Sequence, residues 1–380
     1  MSRSGRVVTL WVLIAYAMTV IGAALSLRYW HPTTASTGPV KLARLRRLVE
    51  SNPDRPLLVM LGSSRTDSLF VARRLSGLRG PYGKPWVAFN FGMPGTGAIH
   101  ERVFLREMLD AGIRPRLLLV EFQTTLLNEP GSNFASEERC TTAGWRTLPE
   151  LLGMLPYFAH PARQCLEWLQ ARLLPAYMFR CWLAEELVLG WSAKPAPKWD
   201  ESTDPWGYRL PDWPGPAECA RRLAYTRKEF CEGLRHFRVA MGPSQAMRDL
   251  LELCRRERVP VVLVVPPEST LFRSWYAPQG LAEIDRLLVQ LHATYRVPIL
   301  DARGWVEDKD FHDGHHVKAS GAQVFTTRLL DELRPILGLS DEPGRPQPTS
   351  AQSPPAAETV TRRRLAEPLA HGTTCSPGCA

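Results

Sequence analysis

The chain has 380 residues, enough for one large domain or two small ones, and its 44% hydrophobic content supplies a sizeable core. The net charge of +9 is scattered largely as Arg, with the clusters Arg44-Leu45-Arg46-Arg47 and Arg362-Arg363-Arg364 near the two ends. A nucleic-acid protein would carry a basic stripe with interleaved aromatics on its folded part, so the composition argues against a nucleic-acid partner.

In chain order, the first feature is Val7 to Leu27, uncharged and predominantly apolar, flanked by Arg3, Arg6 and Arg28. A bilayer core needs roughly 20 such residues. The stretch is a signal peptide or an uncleaved signal anchor. Its length beyond an ordinary signal-peptide core of about 7–15 residues favours the anchor, while the small residues of GAALS leave cleavage open. Arg3 and Arg6 compete with Lys41, Arg44, Arg46 and Arg47 for the cytoplasmic side. The orientation adopted is a single pass, N-terminus inside and the body of the chain outside.

His31 to Gly38 reads as a linker, and residues 31–56 hold that linker and a first helix. Short apolar runs then alternate with helical patterns. Leu57–Leu61 is a strand, Thr66–Leu75 a helix, Trp86–Asn90 a strand, Ala98–Ala111 a helix and Arg116–Phe122 a strand. After a long interruption come a helix over Met247–Arg256, a strand over Val259–Val265, a helix over Leu281–Tyr295, a short strand over Pro298–Asp301 and a helix over Ser320–Leu333. Such alternation means βαβ units, a parallel sheet with right-handed crossovers, and an α/β class; near-continuous apolar strands fit a sheet covered on both faces. The α/β domain spans 57–338. The Pro-, Ser- and Ala-rich tail, 339–380, cannot bury enough apolar surface to fold and is expected to be disordered.

The interruption, about 127–243, holds Trp145, Trp168, Trp182, Trp191, Trp199, Trp206 and Trp213 together with Cys140, Cys165, Cys181, Cys219 and Cys231. It reads as a partly helical insertion over the carboxyl edge of the sheet, where such sheets carry their ligand crevice. An extra packing layer and a lid that shapes substrate choice both stay open. The remaining cysteines are Cys254, Cys375 and Cys379. No two cysteines have the C-x-x-C spacing of a zinc knuckle or a thioredoxin site, and no disulfide pairing is readable.

Three stretches carry chemistry. In LGSSRTDS, Ser64 sits where a strand hands over to a helix, and its hydroxyl stands exposed at the sheet edge beside outward-pointing amides. The bland alternative is a capping box, with Ser64 as N-cap and Asp67 at the third helical position. In FHDGHHVKASG, an Asp three residues before a His can turn back and accept the imidazole N–H, leaving the other nitrogen free as a base; this singles out Asp313 and His316. The alternatives are a surface turn or metal ligands, with His312 adding to the metal case. Without a second cluster to complete a site, no metal is expected. In FNFGMPGTG, three glycines let backbone N–H groups face a cavity, yet the run is neither a P-loop nor a dinucleotide-binding fingerprint. A parallel sheet gathers all three loops along one edge, as nucleophilic acyl transfer requires. On the same edge, Glu268 and Arg273 either bind polar or anionic groups of a substrate or form an ion pair that braces a loop. Arg65 either meets an acidic substrate or is solvated or paired with an acid such as Asp67.

Over about Leu57–Leu333, interrupted by the insertion, the chain resembles the SGNH (GDSL-like) hydrolase superfamily, in particular its membrane-anchored branch related to cell-surface polysaccharide O-acyltransferases and esterases. The family's Gly-Asp-Ser reads Gly62-Ser63-Ser64 here, with Ser63 in place of the Asp. Its Asn-x-Gly-x-x-Gly reads Asn90-Phe91-Gly92-Met93-Pro94-Gly95, and its Asp-x-x-His is matched by Asp313 and His316. The family's Gly-x-Asn-Asp is missing: the stretch reads VEFQTTLLNE, leaving Gln123, Thr124, Thr125 or Asn128 to replace the oxyanion-binding Asn. The resemblance implies a flavodoxin-like three-layer α/β/α fold with a five-stranded parallel sheet. It implies Ser64 as nucleophile, His316 as base, Asp313 as its orienter, and the amides of Ser64 and Gly95 as oxyanion donors. Asn90 and Gly92 stand in its substrate-facing block. No cofactor is implied. The substrate would be an acyl ester, such as an acylated cell-envelope glycan, met on the extracytoplasmic side of the cytoplasmic membrane and either hydrolysed or used for transfer. Two other readings stand beside this one: a catalytically weak binding or assembly protein, which the missing Asn favours, and a metal-dependent hydrolase.

Overall fold

The computed structural model describes residues 3–30, 37–80, 83–129, 136–141, 143–173, 203–210 and 214–339. Residues 31–36 of the expected linker, the tail from residue 340, Trp182, Trp191, Trp199 and Trp213, and Cys181, Cys375 and Cys379 lie outside the described residues.

Helix α1 (Arg3–Trp30) is followed by α2 (Thr37–Glu50), strand β1 (Leu57–Gly62), helix α3 (Ser64–Leu69), β2 (Val87–Gly92), α4 (Ala98–Asp110) and β3 (Leu117–Glu121). The insertion contributes α5 (Glu137–Cys140), α6 (Leu148–Met154), α7 (Pro161–Leu173) and α8 (Pro216–Arg235). The α/β pattern then resumes with α9 (Met241–Glu257), β4 (Val261–Val265), α10 (Thr270–Arg273), α11 (Pro278–Tyr295), β5 (Ile299–Asp301) and α12 (Ala319–Leu337).

The strands form one parallel sheet in the order β2-β1-β3-β4-β5, with Leu57 opposite Val87 and Gly62 opposite Gly92 across the first pair. This is the flavodoxin-like order, whose direction reverses between β1 and β3, so the crevice for a ligand lies beyond the carboxyl ends of those two strands. Alternation along the strands divides the core. Leu57, Val59 and Leu61 pack with Phe104, Met108, Leu250 and Leu287 on one face. Leu58 and Met60 pack with Phe325, Leu329 and Leu333 on the other. Both faces are therefore apolar and helix-covered, and the expected three-layer α/β/α arrangement is present.

Two helix boundaries differ from the expected ones. The helix after β1 stops at Leu69 instead of running to Leu75, because Phe70 turns extended (φ −92°, ψ 103°) and the buried Asn90 amide donates to the carbonyls of Thr66 (2.7 Å) and Phe70 (2.8 Å). The helix before β4 starts at Met241, ahead of the expected Met247 and inside the expected insertion.

Within α1, Ser4–Gly22 is long and apolar enough to cross a membrane, and none of it is buried against the rest of the protein; a signal sequence has the same character. Cys140, Cys165, Cys219, Cys231 and Cys254 are free thiols.

Candidate active site

Ser64 is the first residue of α3, not its cap. Ser63 is the N-cap, and its hydroxyl accepts from the Arg65 amide at 3.1 Å. The expected capping box is therefore not formed: the cap is Ser63, and the Ser64 side chain is released from capping. Its hydroxyl lies 2.9 Å from His316 Nε2. His316 Nδ1 donates to Asp313 Oδ2 at 2.7 Å, and the other oxygen, Oδ1, accepts the amides of His315 (3.1 Å) and His316 (2.7 Å). A tight turn before α12 thus fixes carboxylate and imidazole together, and the Nδ1–H tautomer leaves Nε2 as the acceptor for the serine proton. Burial pulls the Asp313 pKa up, but the imidazoles of His316 and His315 and the hydrogen bond outweigh it, so the carboxyl is held below the usual range.

Two more imidazoles flank the pair. His312 stacks parallel on His316, with centroids 5.7 Å apart. His315 is packed between Phe230 and Phe272 (5.2 and 5.1 Å), and burial drives its pKa well below the ordinary value, so it is neutral at neutral pH and adds no charge against an imidazolium on His316. Asp313, His315 and His316 offer donor atoms within 4.8 Å of one another, the arrangement that raised the metal reading. Two of the three are already engaged with each other, since Asp313 Oδ2 holds His316 Nδ1.

Beneath the serine lies a group the sequence reading missed. Glu121, at the end of β3, is fully buried and accepts from the Ser63 amide (2.8 Å), the Ser63 hydroxyl (2.9 Å) and the Thr66 hydroxyl (2.6 Å). A carboxylate at a helix N-terminus is favoured by the helix dipole and by free amides. It ties β3 to the turn that carries Ser64. The signal was present: a lone acid closing an otherwise apolar strand that is covered on both faces.

The two amides expected to receive an oxyanion, those of Ser64 and Gly95, donate to no acceptor among the described residues, and both residues are partly exposed at the sheet edge. The proposed replacements for the missing Asn are differently employed. Gln123 donates to Ser63 Oγ at 3.1 Å and accepts from Arg65. Thr124 bonds Glu268 (3.2 Å) and Tyr276 (2.8 Å), and Thr125 is buried. Asn128 donates to the Gly233 carbonyl (3.1 Å) and accepts the Arg238 amide (2.9 Å), so it fastens the end of α8.

Of the residues expected to face substrate, Arg65, Asn90, Gly92 and Glu268 are buried and Arg273 is half-buried. Arg65 is buried, and its guanidinium bonds Gln123 (3.1 Å), Glu268 (3.3 Å) and the Pro267 carbonyl; it pairs with neither solvent nor Asp67. Glu268 is buried with Arg65 and Tyr276 instead of pairing with Arg273, whose guanidinium reaches Thr270 at 3.4 Å. Asn90 caps α3 as described. A Cβ on Gly92 would stand 2.2 Å from the Asp67 amide, so this glycine is the close approach of β2 to α3.

What lines the cavity is Ser64, Asp67, Ser68, Pro94, His312, Asp313 and His316, together with Arg209 and Arg222 from the insertion, around a volume of about 290 Å3. The insertion therefore reaches the carboxyl edge, as expected, and supplies charge there. The Asp67 carboxylate is held by Lys41 of α2 at 2.6 Å, both side chains being fully buried. Burial lowers the Lys41 pKa and Asp67 opposes that shift.

No protein-family model and no curated protein sequence matches the chain. Among solved structures it is similar to GDSL-type lipases and esterases. A GDSL-like lipase from Bacteroides thetaiotaomicron is 10% identical, with 78% of this chain and 100% of that one covered and a TM-score of 0.35. A catalytic mutant of an acetylxylan esterase from Geobacillus stearothermophilus is 10% identical over 76% and 97%, with a TM-score of 0.36. An inhibitor-bound aryl esterase from M. smegmatis is 13% identical over 74% and 100%, with a TM-score of 0.33. Likeness at this level decides no chemistry; that rests on the distances above.

Proposed function

We propose that the chain is an SGNH-type serine esterase working through an acyl-enzyme. The observation that carries this reading is the continuous chain from Ser64 Oγ to His316 Nε2 (2.9 Å) and from His316 Nδ1 to Asp313 Oδ2 (2.7 Å) at the mouth of one cavity. Ser64 attacks the acyl carbon as His316 takes its proton; Asp313 stabilises the imidazolium; the amides of Ser64 and Gly95 receive the oxyanion. His316 then returns the proton to the leaving alcohol. Water completes hydrolysis, and a sugar hydroxyl in its place completes transfer. The apolar α1 supports a single-pass anchor with the site outside the membrane, where an acylated envelope glycan is the substrate class within reach.

The oxyanion site favours a slow enzyme. Among the described residues Gln123, Thr124 and Asn128 are committed to other partners, and loss of one such donor typically costs about 10²–10³ in rate. This keeps a binding or assembly role as the second reading. Hydrolysis of 4-nitrophenyl acetate separates the two. Wild type turns over, Ser64→Ala is inactive, and Asp313→Asn loses about 10³–10⁴ in kcat. Chelator leaves the rate unchanged. Equal rates for wild type and Ser64→Ala, or a rate abolished by chelator, contradict the serine mechanism.

A further inference from the structure

The serine mechanism accounts for Ser64, Asp313 and His316 but not for the positive charge that the insertion delivers to the same cavity. That charge is placed deliberately by the backbone. The segment 203–210 folds back on itself through a bridge between Thr203 and Arg209 and is pinned to the catalytic layer at three points. The Asn90 amide donates to the Trp206 carbonyl (2.8 Å), Lys41 Nζ to the Gly207 carbonyl (3.0 Å), and the Arg209 amide to the Asp67 carbonyl (2.9 Å). The turn itself is closed by Asp204, whose carboxylate accepts the amides of Trp206 and Tyr208, both at 2.9 Å. Gly207 adopts φ +81°, and a Cβ there would lie 2.2 Å from the Asn90 carbonyl oxygen, so only glycine lets the segment dock this closely.

The outcome is a guanidinium, Arg209, at the wall of the cavity with no carboxylate paired to it among the described residues. The two acids that line the same cavity are paired elsewhere, Asp67 with Lys41 and Asp313 with His316, and the cavity's other guanidinium, Arg222, pairs with Glu218 at 2.8 Å. Half-buried at the cavity wall, the Arg209 guanidinium is accessible to a ligand that brings the counter-charge. Its planar fork suits a carboxylate or a phosphate.

We infer that Arg209 is a specificity-determining residue that binds an anionic group on the alcohol part of the ester, so that the substrate is an acyl ester of an acidic alcohol. The inference rests on the esterase reading. It commits the anion to the alcohol part, whose oxygen His316 protonates as it leaves.

The test uses the full chain with methyl 4-acetoxybenzoate as the neutral ester and 4-acetoxybenzoate and 4-acetoxyphenyl phosphate as its anionic counterparts. The ratio of kcat/KM for anionic over neutral ester should fall about 10- to 100-fold in Arg209→Ala, chiefly through KM, and recover in part in Arg209→Lys. Which anionic ester responds distinguishes carboxylate from phosphate. A residue that merely braced the loop would lower both rates together and leave the ratio unmoved, which overturns the inference while the neutral-ester activity leaves the esterase reading standing. Absence of turnover on all three esters, with Ser64 unreactive, overturns both.

Discussion

At the scale of single residues, the acids behind the site are sorted by what compensates each of them. Glu121 accepts from hydroxyls and amides, and the imidazoles around Asp313 hold its carboxyl below the usual range. Glu101 on α4 has neither: it is fully buried, both its oxygens lack partners, and burial, with Glu121 and Glu137 adding to it, raises its pKa well above the ordinary value. The folded state therefore holds a proton that the unfolded chain, with a carboxyl pKa near about 4.3, releases. Stability from this group is present below that value and is lost as pH rises through the folded pKa. Glu101→Gln should remove the loss. Thermal unfolding followed by circular dichroism should show the variant gaining a few degrees over wild type at pH 8 and about nothing at pH 4; a gain that does not depend on pH contradicts the assignment. The proposed triad, Ser64, Asp313 and His316, was legible in the sequence because a serine at a strand-to-helix turn and an Asp three residues before a His are short, local patterns. Arg65, Asn90 and Glu268 were legible as important polar residues but not in their roles. A charge that points into the protein and one that points into a cleft look the same until the packing around them is known.

At the scale of elements, the site depends on α2 and on the hairpin-like segment 203–210, neither of which the periodic pattern connects to the chemistry. Lys41 gathers α2, α3, β2 and that segment at one buried nitrogen, through Asp67, the Gly92 carbonyl and the Gly207 carbonyl. Replacing Lys41 with Ala strands the Asp67 carboxylate, a change that costs about 3–5 kcal/mol for a buried pair. Urea unfolding should register that loss, and Lys41→Met combined with Asp67→Leu should recover much of it; a single variant as stable as wild type contradicts the buried pair. The helix boundaries were legible where apolar spacing set them. The end of α3 was not, because it is set by Asn90, a side chain on the neighbouring strand.

At the scale of the whole molecule, the five-stranded parallel sheet was legible almost throughout, since each strand is an apolar run bounded by turn residues. The insertion was visible as an interruption, and its position over the carboxyl edge followed from where the α/β rhythm broke. Its contribution of Arg209 was beyond reach, because that depends on contacts with β2 and α3 that are distant in sequence. The same scale carries the placement of the protein. If α1 anchors it, the full chain should stay in the membrane pellet after an alkaline carbonate wash, and its release into the supernatant contradicts an anchor. The most direct measurement of the central claim, that sheet, elbow and turn make Ser64 a nucleophile, is covalent capture by a fluorophosphonate read by intact mass and peptide mapping. The account predicts one adduct, on Ser64, lost in Ser64→Ala and strongly slowed in His316→Ala. An unmodified Ser64 in folded protein, or equal labelling of the Ser64→Ala chain, would contradict it.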